Sequence, residues 1–101
     1  MAFEVRLLPE AEGDLFEIYL YVAEHGGAER ADAYDRRIRS ACHKLADFPN
    51  RGTPRDALKP ALRSVAFERR ATIYYRVAAQ DIVEIVRILH RGLDADGRFN
   101  P

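Results

Sequence analysis

Two stretches in the first half of the chain carry apolar side chains at intervals of three and four residues, with the sequence His-Gly-Gly between them at 25–27. The first stretch covers 10–24 and the second runs from about 28 to 47. The apolar positions are Ala11, Leu15, Ile18 and Val22, with Tyr19 beside them, and then Ala31, Tyr34, Ile38, Ala41 or Cys42, and Leu45. This spacing puts the apolar side chains on one face of each helix, and glycine commonly ends a helix. The sequence therefore predicts an antiparallel helical hairpin whose two apolar stripes need a second layer to cover them.

The second half of the chain is β-like and supplies that layer. Its residues 82–89 are nearly all apolar, which is typical of a central strand covered on both faces for part of its length. Residues 49–61 contain three prolines and a glycine and are predicted to form a loop. The predicted strands are 2–8, 62–67, 71–78 and 82–89. We expect one α+β domain over 1–101 in the order β-α-α-β-β-β, with the N-terminal strand and the helical hairpin packed on a mainly antiparallel sheet.

Composition narrows the class of protein. The single cysteine, Cys42, excludes an internal disulfide and is typical of a reducing cytosol, so we expect a cytoplasmic protein. No apolar run approaches the roughly 20 residues of a membrane helix, and the N-terminus lacks the pattern of a signal peptide, so no membrane contact is expected.

Charge is unevenly distributed, although the chain as a whole is formally neutral. Residues 1–50 have ten acidic and six basic side chains, and residues 51–101 have six acidic and ten basic ones. Every basic residue of the second half except Lys59 is arginine, whose planar fork of donors suits carboxylate or phosphate. The arginines indicate either a solvated sheet face or a surface for nucleic acid or an acidic protein segment.

Several kinds of active site have no matching pattern in the sequence. The histidines His25, His43 and His90 lie far apart, and no pair has the spacing of metal ligands. The sequence contains neither a glycine-rich phosphate loop nor the motif G-x-S-x-G. We therefore expect no metal and no other cofactor.

Two interpretations of the β half are left: a binding surface, or metal-free cleavage of RNA by side chains that move protons and stabilise charge. Strand alternation places Arg87 and Arg91 on one face and His90 on the other, unless the strand has ended before His90. Arg63 and Arg87 lie in apolar strands, where an arginine commonly pairs with a buried carboxylate, here Glu84 or Asp94, or binds a partner. Tyr74 and Tyr75 fall on opposite faces, so one is expected in the core and the other outside.

The chain resembles the RelE/ParE superfamily of bacterial toxins, and within it the ParE branch. The similar segments are "LLPEAEGDLFEIYLYVAEHGG", "AERADAYDRRI", "LADFPNRGTPR", "LRSVAFERRATIYYRV" and "IVEIVRILHRGLD". The third looks like the family's Leu-x-x-Phe-Pro-x-x-Gly-x-x-Arg signature, and the last contains its Leu-His-x-x-x-Asp. The similarity covers nearly the whole chain.

The resemblance implies the toxin of a type II toxin–antitoxin module, neutralised by a cognate antitoxin. ParE-like toxins inhibit DNA gyrase, whereas RelE-like relatives cleave mRNA on the ribosome. A neutral chain with no lysine in any predicted strand and no tyrosine after Tyr75 favours the ParE branch. We therefore expect a gyrase inhibitor that blocks replication by binding, with any DNA contact indirect, and ribosome-dependent mRNA cleavage as the alternative.

The residues expected at the functional surface come from the β half. We name no catalytic residue for the inhibitor. The candidates for toxicity or partner binding are Arg63, Arg87, His90 and Arg91, and further candidates are Tyr74 and Arg76.

Overall fold

The structure is a computed structural model that describes residues 3–79 and 81–91. It confirms the predicted hairpin and the strand before it, and it adds a short strand, β2, inside the stretch predicted as a loop. The elements are β1 (Glu4–Leu7), α1 (Pro9–Gly26), α2 (Ala28–Lys44), β2 (Thr53–Pro54), β3 (Arg63–Phe67), β4 (Ala71–Ala78) and β5 (Ile82–His90).

The five strands form one sheet in the order β1-β5-β4-β3-β2. Strands β2 to β5 pair antiparallel with their neighbours, and β1 pairs parallel with the first half of β5. The parallel pair is possible because the chain leaves β1 through the helical hairpin, which is long enough to serve as a crossover. This arrangement confirms the predicted α+β class with its mainly antiparallel sheet.

The helical hairpin turns on a single residue. Gly27 has φ of +93°, a conformation that side chains with a Cβ rarely adopt, and its N–H donates to the carbonyl of Ala23 at 2.9 Å. Pro9 begins α1, where its missing N–H loses no helical hydrogen bond. Helix α2 ends at Lys44, three residues earlier than predicted, because the chain turns at 45–47 to meet the loop.

The hydrophobic core lies between the two helices and one face of the sheet. The predicted stripes supply Ala11, Leu15 and Ile18 from α1, and Tyr34, Ile38 and Cys42 from α2; the sheet supplies Ile73, Tyr75, Val83, Ile85 and Ile88. Each large apolar side chain buried here stabilises the fold by about 1.5–3 kcal/mol relative to leaving it exposed. The helical hairpin therefore covers one sheet face, as its two stripes required.

Strand β5 carries a bulge at Val86. Its partner β4 pairs Tyr75 with Ile85 and Tyr74 with Arg87, so Val86 is one residue too many for the register. Because side chains alternate along a strand, the extra residue shifts the alternation by one position. The helix-facing residues are odd-numbered before the bulge, Val83 and Ile85, and even-numbered after it, Ile88 and His90. The bulge thus turns His90 toward the helices.

Candidate binding surface at the arginine end of the sheet

Arg87, one of the predicted surface residues, is held in a buried ion pair. Its Nε and Nη2 each donate to the Asp14 carboxylate of α1 at 2.7 Å, and the backbone N–H of Ile88 donates to the same carboxylate at 2.9 Å. This paired carboxylate raises the pKa of the Arg87 guanidinium above its ordinary value. Asp14 takes the place expected for Glu84, and the other predicted partner, Asp94, lies outside the described residues.

The pair sits at the point where β1 has ended and the edge of β5 continues alone. Strand β1 pairs with β5 only as far as Ile85, and the N–H of Ile88 lies just beyond that point. Asp14 satisfies this N–H in place of a neighbouring strand, so the carboxylate joins α1 to the sheet. Only 9% of Arg87 is exposed. A contact between Arg87 and a partner stays a prediction.

Arg63 is the first residue of β3, so it lies at the end of that strand that is remote from the turn into β4. Its Nη1 donates to the backbone carbonyls of Asn50 and Gly52, both at 2.9 Å, and so holds the loop before β2. Arg63 pairs with Tyr75 in the sheet, whereas His90 pairs with Ala71 at the other end of β4. The structure therefore does not bring Arg63 together with His90.

The Phe-Pro-x-x-Gly-x-x-Arg segment packs against the same end of the sheet as Arg63, away from His90. The N–H of Gly52 donates to the hydroxyl of Tyr75 at 2.9 Å, and a Cβ on Gly52 would lie 2.7 Å from that oxygen and 2.8 Å from the carbonyl oxygen of Ser64. Arg55 donates to the Ser64 hydroxyl at 2.8 Å. Glycine is therefore required at 52 for packing, and the segment fixes the loop onto the sheet.

Arg76, a further candidate, forms an ion pair across the sheet. Its Nε donates to the Glu84 carboxylate at 2.7 Å, and Glu84 is also its register partner on β5. Partly exposed pairs of this kind stabilise a fold by less than about 1 kcal/mol, so Arg76 is a minor contributor to stability. It lies away from the end of β5.

Arg91 and His90 meet two arginines that sequence reasoning missed. The turn between β3 and β4 lies beside the end of β5, and the N–H of Arg91 donates to the carbonyl of Arg70 at 2.7 Å. Arg69, Arg70 and Arg91 are exposed, and we call this group the arginine end. The signal for it was the sequence Glu-Arg-Arg at 68–70, between the predicted strands 62–67 and 71–78, but only the strand register places this segment next to Arg91.

The turn itself is strained. Glu68 has φ of +49° and Arg69 has φ of +62°, although both carry a Cβ. Hairpin turns with two such residues normally use Asn-Gly or a related pair. Residues kept in this region without glycine cost roughly 1 kcal/mol or more each, and they cluster at functional sites. This turn places Arg69 and Arg70 beside the end of β5.

A pocket of about 280 Å³ opens beside the arginine end. Its residues Ala66, Thr72 and Leu89 are register neighbours on three strands and lie on the face opposite the core, so we call it the far-face pocket. The full lining is Ala66, Arg69, Arg70, Ala71, Thr72, Tyr74, Leu89, His90 and Arg91. That lining contains three arginines and no acidic residue among the described side chains. It therefore favours an anionic group, with hydroxyls of Thr72 and Tyr74 as further hydrogen-bonding groups.

A second pocket, of about 300 Å³, lies on the helix side of the same end. We call it the aromatic pocket because rings form much of its wall: Tyr21 stacks on His25 at 4.2 Å between centroids, and the ring of His90 lies 5.4 Å from Tyr21 and 5.8 Å from Tyr34. The full lining is Tyr21, Val22, His25, Gly26, Arg30, Tyr34, Arg37, Glu68, Arg70 and His90.

His90 lines both pockets and is only 4% exposed. Burial lowers the pKa of its imidazole below the ordinary value of 6.5, and the charge of Arg70 lowers it further. The neutral ring is therefore the dominant form at neutral pH. The prediction that His90 and Arg91 point to opposite sides fits the register, which turns His90 toward the aromatic rings of the helices.

Comparison with known proteins identifies the family. The model of the ParE toxin family, described as the ParE toxin of the type II toxin–antitoxin system parDE, matches residues 5–94. The chain belongs to the ParE toxin family. It is 38% identical over 88 residues to toxin ParE3 of Caulobacter vibrioides, with 87% of this chain and 80% of that protein covered. It is also 29% identical over 96 residues to toxin ParE1 of Mycobacterium tuberculosis, with 95% and 97% covered.

Solved structures agree with this family at the level of the fold. A chromosomal ParDE toxin–antitoxin system from P. aeruginosa matches with a TM-score of 0.77 at 24% identity, covering 88% of this chain and 96% of the other. The RelBE2 toxin–antitoxin complex from Mycobacterium tuberculosis matches with a TM-score of 0.62 at 22% identity, covering 90% and 100%. The predicted ParE branch of the superfamily is confirmed by the family model and the sequence relatives.

The geometry suits binding of anions by this ParE family member. The described residues contain no group of three or more His, Cys, Asp or Glu side chains that could hold a metal ion. Neither described helix combines the length and the apolar character needed to cross a membrane. Three arginines line each of the two pockets, Arg70 lines both, and the buried His90 lies between the pockets.

Proposed function

We propose that this ParE family toxin inhibits DNA gyrase, and so replication, by binding through the arginine end. The observation that carries the proposal is the far-face pocket, where Arg69, Arg70 and Arg91 surround one concavity without an acidic residue in its described lining. Three uncompensated guanidinium groups attract an acidic protein surface or the phosphates of gyrase-bound DNA. Any contact with DNA is then made through the gyrase complex.

A cognate antitoxin neutralises the toxin by covering this surface. The ParDE and RelBE2 systems among the similar structures are toxin–antitoxin pairs, which supports a protein partner for this chain. Phe16 and Leu20 of helix α1 are 64% and 51% exposed. They lie one helical turn apart and form an apolar patch on the outer surface of the hairpin. An antitoxin segment that lies across the hairpin and ends in acidic residues at the arginine end would cover both the apolar patch and the arginines.

Ribosome-dependent cleavage of mRNA is the second candidate. The fold similarity to the RelBE2 complex and the position of Tyr74 beside Arg91 in one pocket favour it. Against it stands the burial of His90, whose ring lies among the aromatic side chains of the helix side. A general base for the 2′-hydroxyl of RNA must reach that proton, and an imidazole that is 4% exposed and packed against two tyrosine rings is poorly placed for it.

The test uses purified, antitoxin-free protein in a gyrase supercoiling assay that also resolves cleaved plasmid. We expect inhibition with trapped cleavage. Replacing Arg69 and Arg91 with glutamine is expected to reduce inhibition by at least about tenfold, because each guanidinium makes a charge-assisted contact. Arg36→Gln is the matched control, since Arg36 is an exposed arginine of α2 outside both pockets.

The same preparation is added to a translation extract to measure mRNA cleavage. Folded wild-type protein that leaves gyrase unaffected but cleaves mRNA in the extract would replace the gyrase proposal with the ribonuclease. Equal inhibition by the wild type and the Arg69/Arg91 variant would show that the arginine end is not the contact surface.

A further inference from the structure

Tyr34 in the aromatic pocket carries a polar group that the structure leaves unused. The side chain is 6% exposed, and its hydroxyl has no hydrogen-bond partner among residues 3–79 and 81–91. A buried hydroxyl without a partner lowers the stability of the free protein. The hydroxyl oxygen is itself buried, so a ligand gains this hydrogen bond when it displaces a side chain of the pocket wall such as Glu68.

Glu68 shows which chemistry the pocket accommodates. Its carboxylate takes hydrogen bonds from Arg37 Nε at 2.8 Å and Nη2 at 3.0 Å, while the Arg37 guanidinium lies 5.3 Å from the centre of the Tyr34 ring. The bridge is solvent-exposed, with 51% and 41% of the two side chains accessible, so it is readily replaced. Glu68 also holds a left-handed backbone conformation, which makes its position in the pocket a strained one.

Two further arginines add positive charge to the same pocket. Arg30 and Arg70 line it, and neither has an ion-pair partner within the described ranges. The Arg30 side chain lies over Gly26, where a Cβ would come within 2.8 Å of its Cδ, so glycine at 26 lets the side chain pass. The described lining of the pocket thus contains three arginines and one carboxylate, so its net charge is positive. A carboxylate from a ligand would complement this charge.

We propose that the aromatic pocket receives an acidic side chain from a partner peptide, which replaces Glu68 on Arg37 and accepts a hydrogen bond from Tyr34. A cavity of about 300 Å³ holds one such side chain with part of its neighbour, and the rings of Tyr21 and His25 form an apolar wall for its methylene groups. A singly charged carboxylate fits better than a phosphate dianion, because Glu68 stays close by. The identification of the peptide as the antitoxin rests on the proposed function.

The carboxylate site is tested first with a small probe, without any toxicity assay. The Nε–H signals of arginine are followed by NMR while the blocked amino acid Ac-Glu-NH2 is added, and Ac-Gln-NH2 serves as the uncharged control. We expect Arg30, Arg37 and Arg70 to shift with the glutamate probe only. Equal shifts with the glutamine probe, or stronger binding of inorganic phosphate, would overturn the proposal.

Three variants separate this site from general surface charge. Glu68→Gln is expected to bind the glutamate probe several-fold more tightly, because the internal competitor is removed, and Tyr34→Phe about tenfold more weakly, because the hydroxyl donor is lost. Arg36→Gln is expected to bind as the wild type does. Loss of binding in Arg36→Gln equal to that in Tyr34→Phe would leave only non-specific attraction and refute the site.

The occupant is tested with the antitoxin by calorimetry. Arg30→Gln and Tyr34→Phe are expected to bind it about tenfold more weakly than Arg36→Gln does, while both still inhibit gyrase when free. Unchanged antitoxin affinity in both variants would show that the antitoxin does not use the pocket. A protein that binds the glutamate probe but leaves gyrase unaffected would refute the proposed function and leave the carboxylate site standing.

Discussion

Asp14 and Arg87 are 73 positions apart in sequence and are joined by two hydrogen bonds of 2.7 Å in the interior of the molecule. Helix α1 lies at one end of this contact and the central strand β5 at the other. Asp14 also accepts a hydrogen bond from the N–H of Ile88, which lies on β5 beyond the last residue that pairs with β1. One carboxylate therefore binds both the Arg87 side chain and the β5 backbone. The place of Arg87 in an apolar strand predicted a buried carboxylate as its partner, and the structure identifies that carboxylate as Asp14.

Removing one partner of the Asp14–Arg87 pair is expected to destabilise the fold strongly. Asp14→Asn should lower the free energy of unfolding by about 3–5 kcal/mol, because it removes the negative charge of the buried carboxylate that pairs with Arg87 at 2.7 Å. Asp35→Asn is the control: it removes a partly exposed partner of Arg39 and should cost less than about 1 kcal/mol. Urea unfolding measures both. Similar losses in the two variants would mean that the Asp14 pair is no stronger than a surface pair.

The stability of the fold should depend on the protonation of His90. Because burial lowers the pKa of His90 in the folded protein, the unfolded chain takes up this proton at a higher pH than the folded one does. The stability that depends on neutral His90 is therefore present above about pH 6.5 and is lost as the pH falls below that value. Thermal unfolding at pH 7.5 and pH 5.0 should show a larger loss in the wild type than in His90→Gln.

Among the described residues, the groups that face His90 include Tyr21 and Tyr34 from the helices and Arg70 from the turn. An NMR titration of the imidazole should give a midpoint below 6.5. A midpoint at or above 6.5, or equal acid destabilisation of His90→Gln, would contradict the prediction.

Substitutions of Arg69, in the strained turn between β3 and β4, should affect stability and gyrase inhibition in different ways. Arg69→Gly should raise the free energy of unfolding by about 1 kcal/mol, because glycine adopts the positive φ of that position without a Cβ penalty. The same change removes one guanidinium from the far-face pocket, so gyrase inhibition should fall. Arg69→Gln is the matched variant: it should lose inhibition without gaining stability. If Arg69→Gly were destabilised, the turn would not be strained as the backbone angles indicate.

Two glycines of the hairpin should respond in opposite directions. Gly27→Ala should destabilise the protein by about 1 kcal/mol or more, because alanine is strained at φ of +93°. Gly13→Ala should stabilise it by up to about 1 kcal/mol, since Gly13 lies within α1 and nothing stands within 4 Å of an added Cβ. Thermal unfolding of the two variants measures the contrast, and a change of the same sign in both would refute it.

Cys42 should be unreactive while the protein is folded. Burial raises the pKa of its thiol to about 12, so the thiolate that reacts with disulfide reagents is scarce at pH 8. We expect Cys42 to react with a chromogenic disulfide reagent only after denaturant is added. Rapid reaction of the native protein would show that the core around α2 opens readily.

The helical half of the fold could be predicted because its signal is local. Apolar positions every three or four residues and glycines at 26 and 27 define the hairpin, and alternation defines β4. Strand β2 could not be predicted, because two residues that include Pro54 have no periodicity of their own and pair only where β3 is adjacent. The end of α2 was placed three residues too late, since apolar spacing continues to Leu45 while the backbone already turns.

The candidate site could be predicted only in part. Arg91 and His90 were named as candidates because they end an apolar strand, and the structure places Arg91 beside Arg70; their role in toxicity stays a prediction. Arg69 and Arg70 were missed, because a turn shows nothing in sequence about the strand end that lies beside it. Arg63 was expected on the same surface but lies at the other end of the sheet, and its role in toxicity, like that of Arg87, stays a prediction.

By itself the sequence determined the class of fold, the two helix stripes and the family resemblance, since these depend on neighbours within a few positions and on ordered motifs. Only the tertiary structure decided the partner of Arg87 and the side to which His90 points. Both depend on long-range register: Asp14 reaches β5 where β1 ends, and the extra residue Val86 reverses the alternation before His90. A single bulge changes which face every following side chain occupies, and no local pattern in the strand records it.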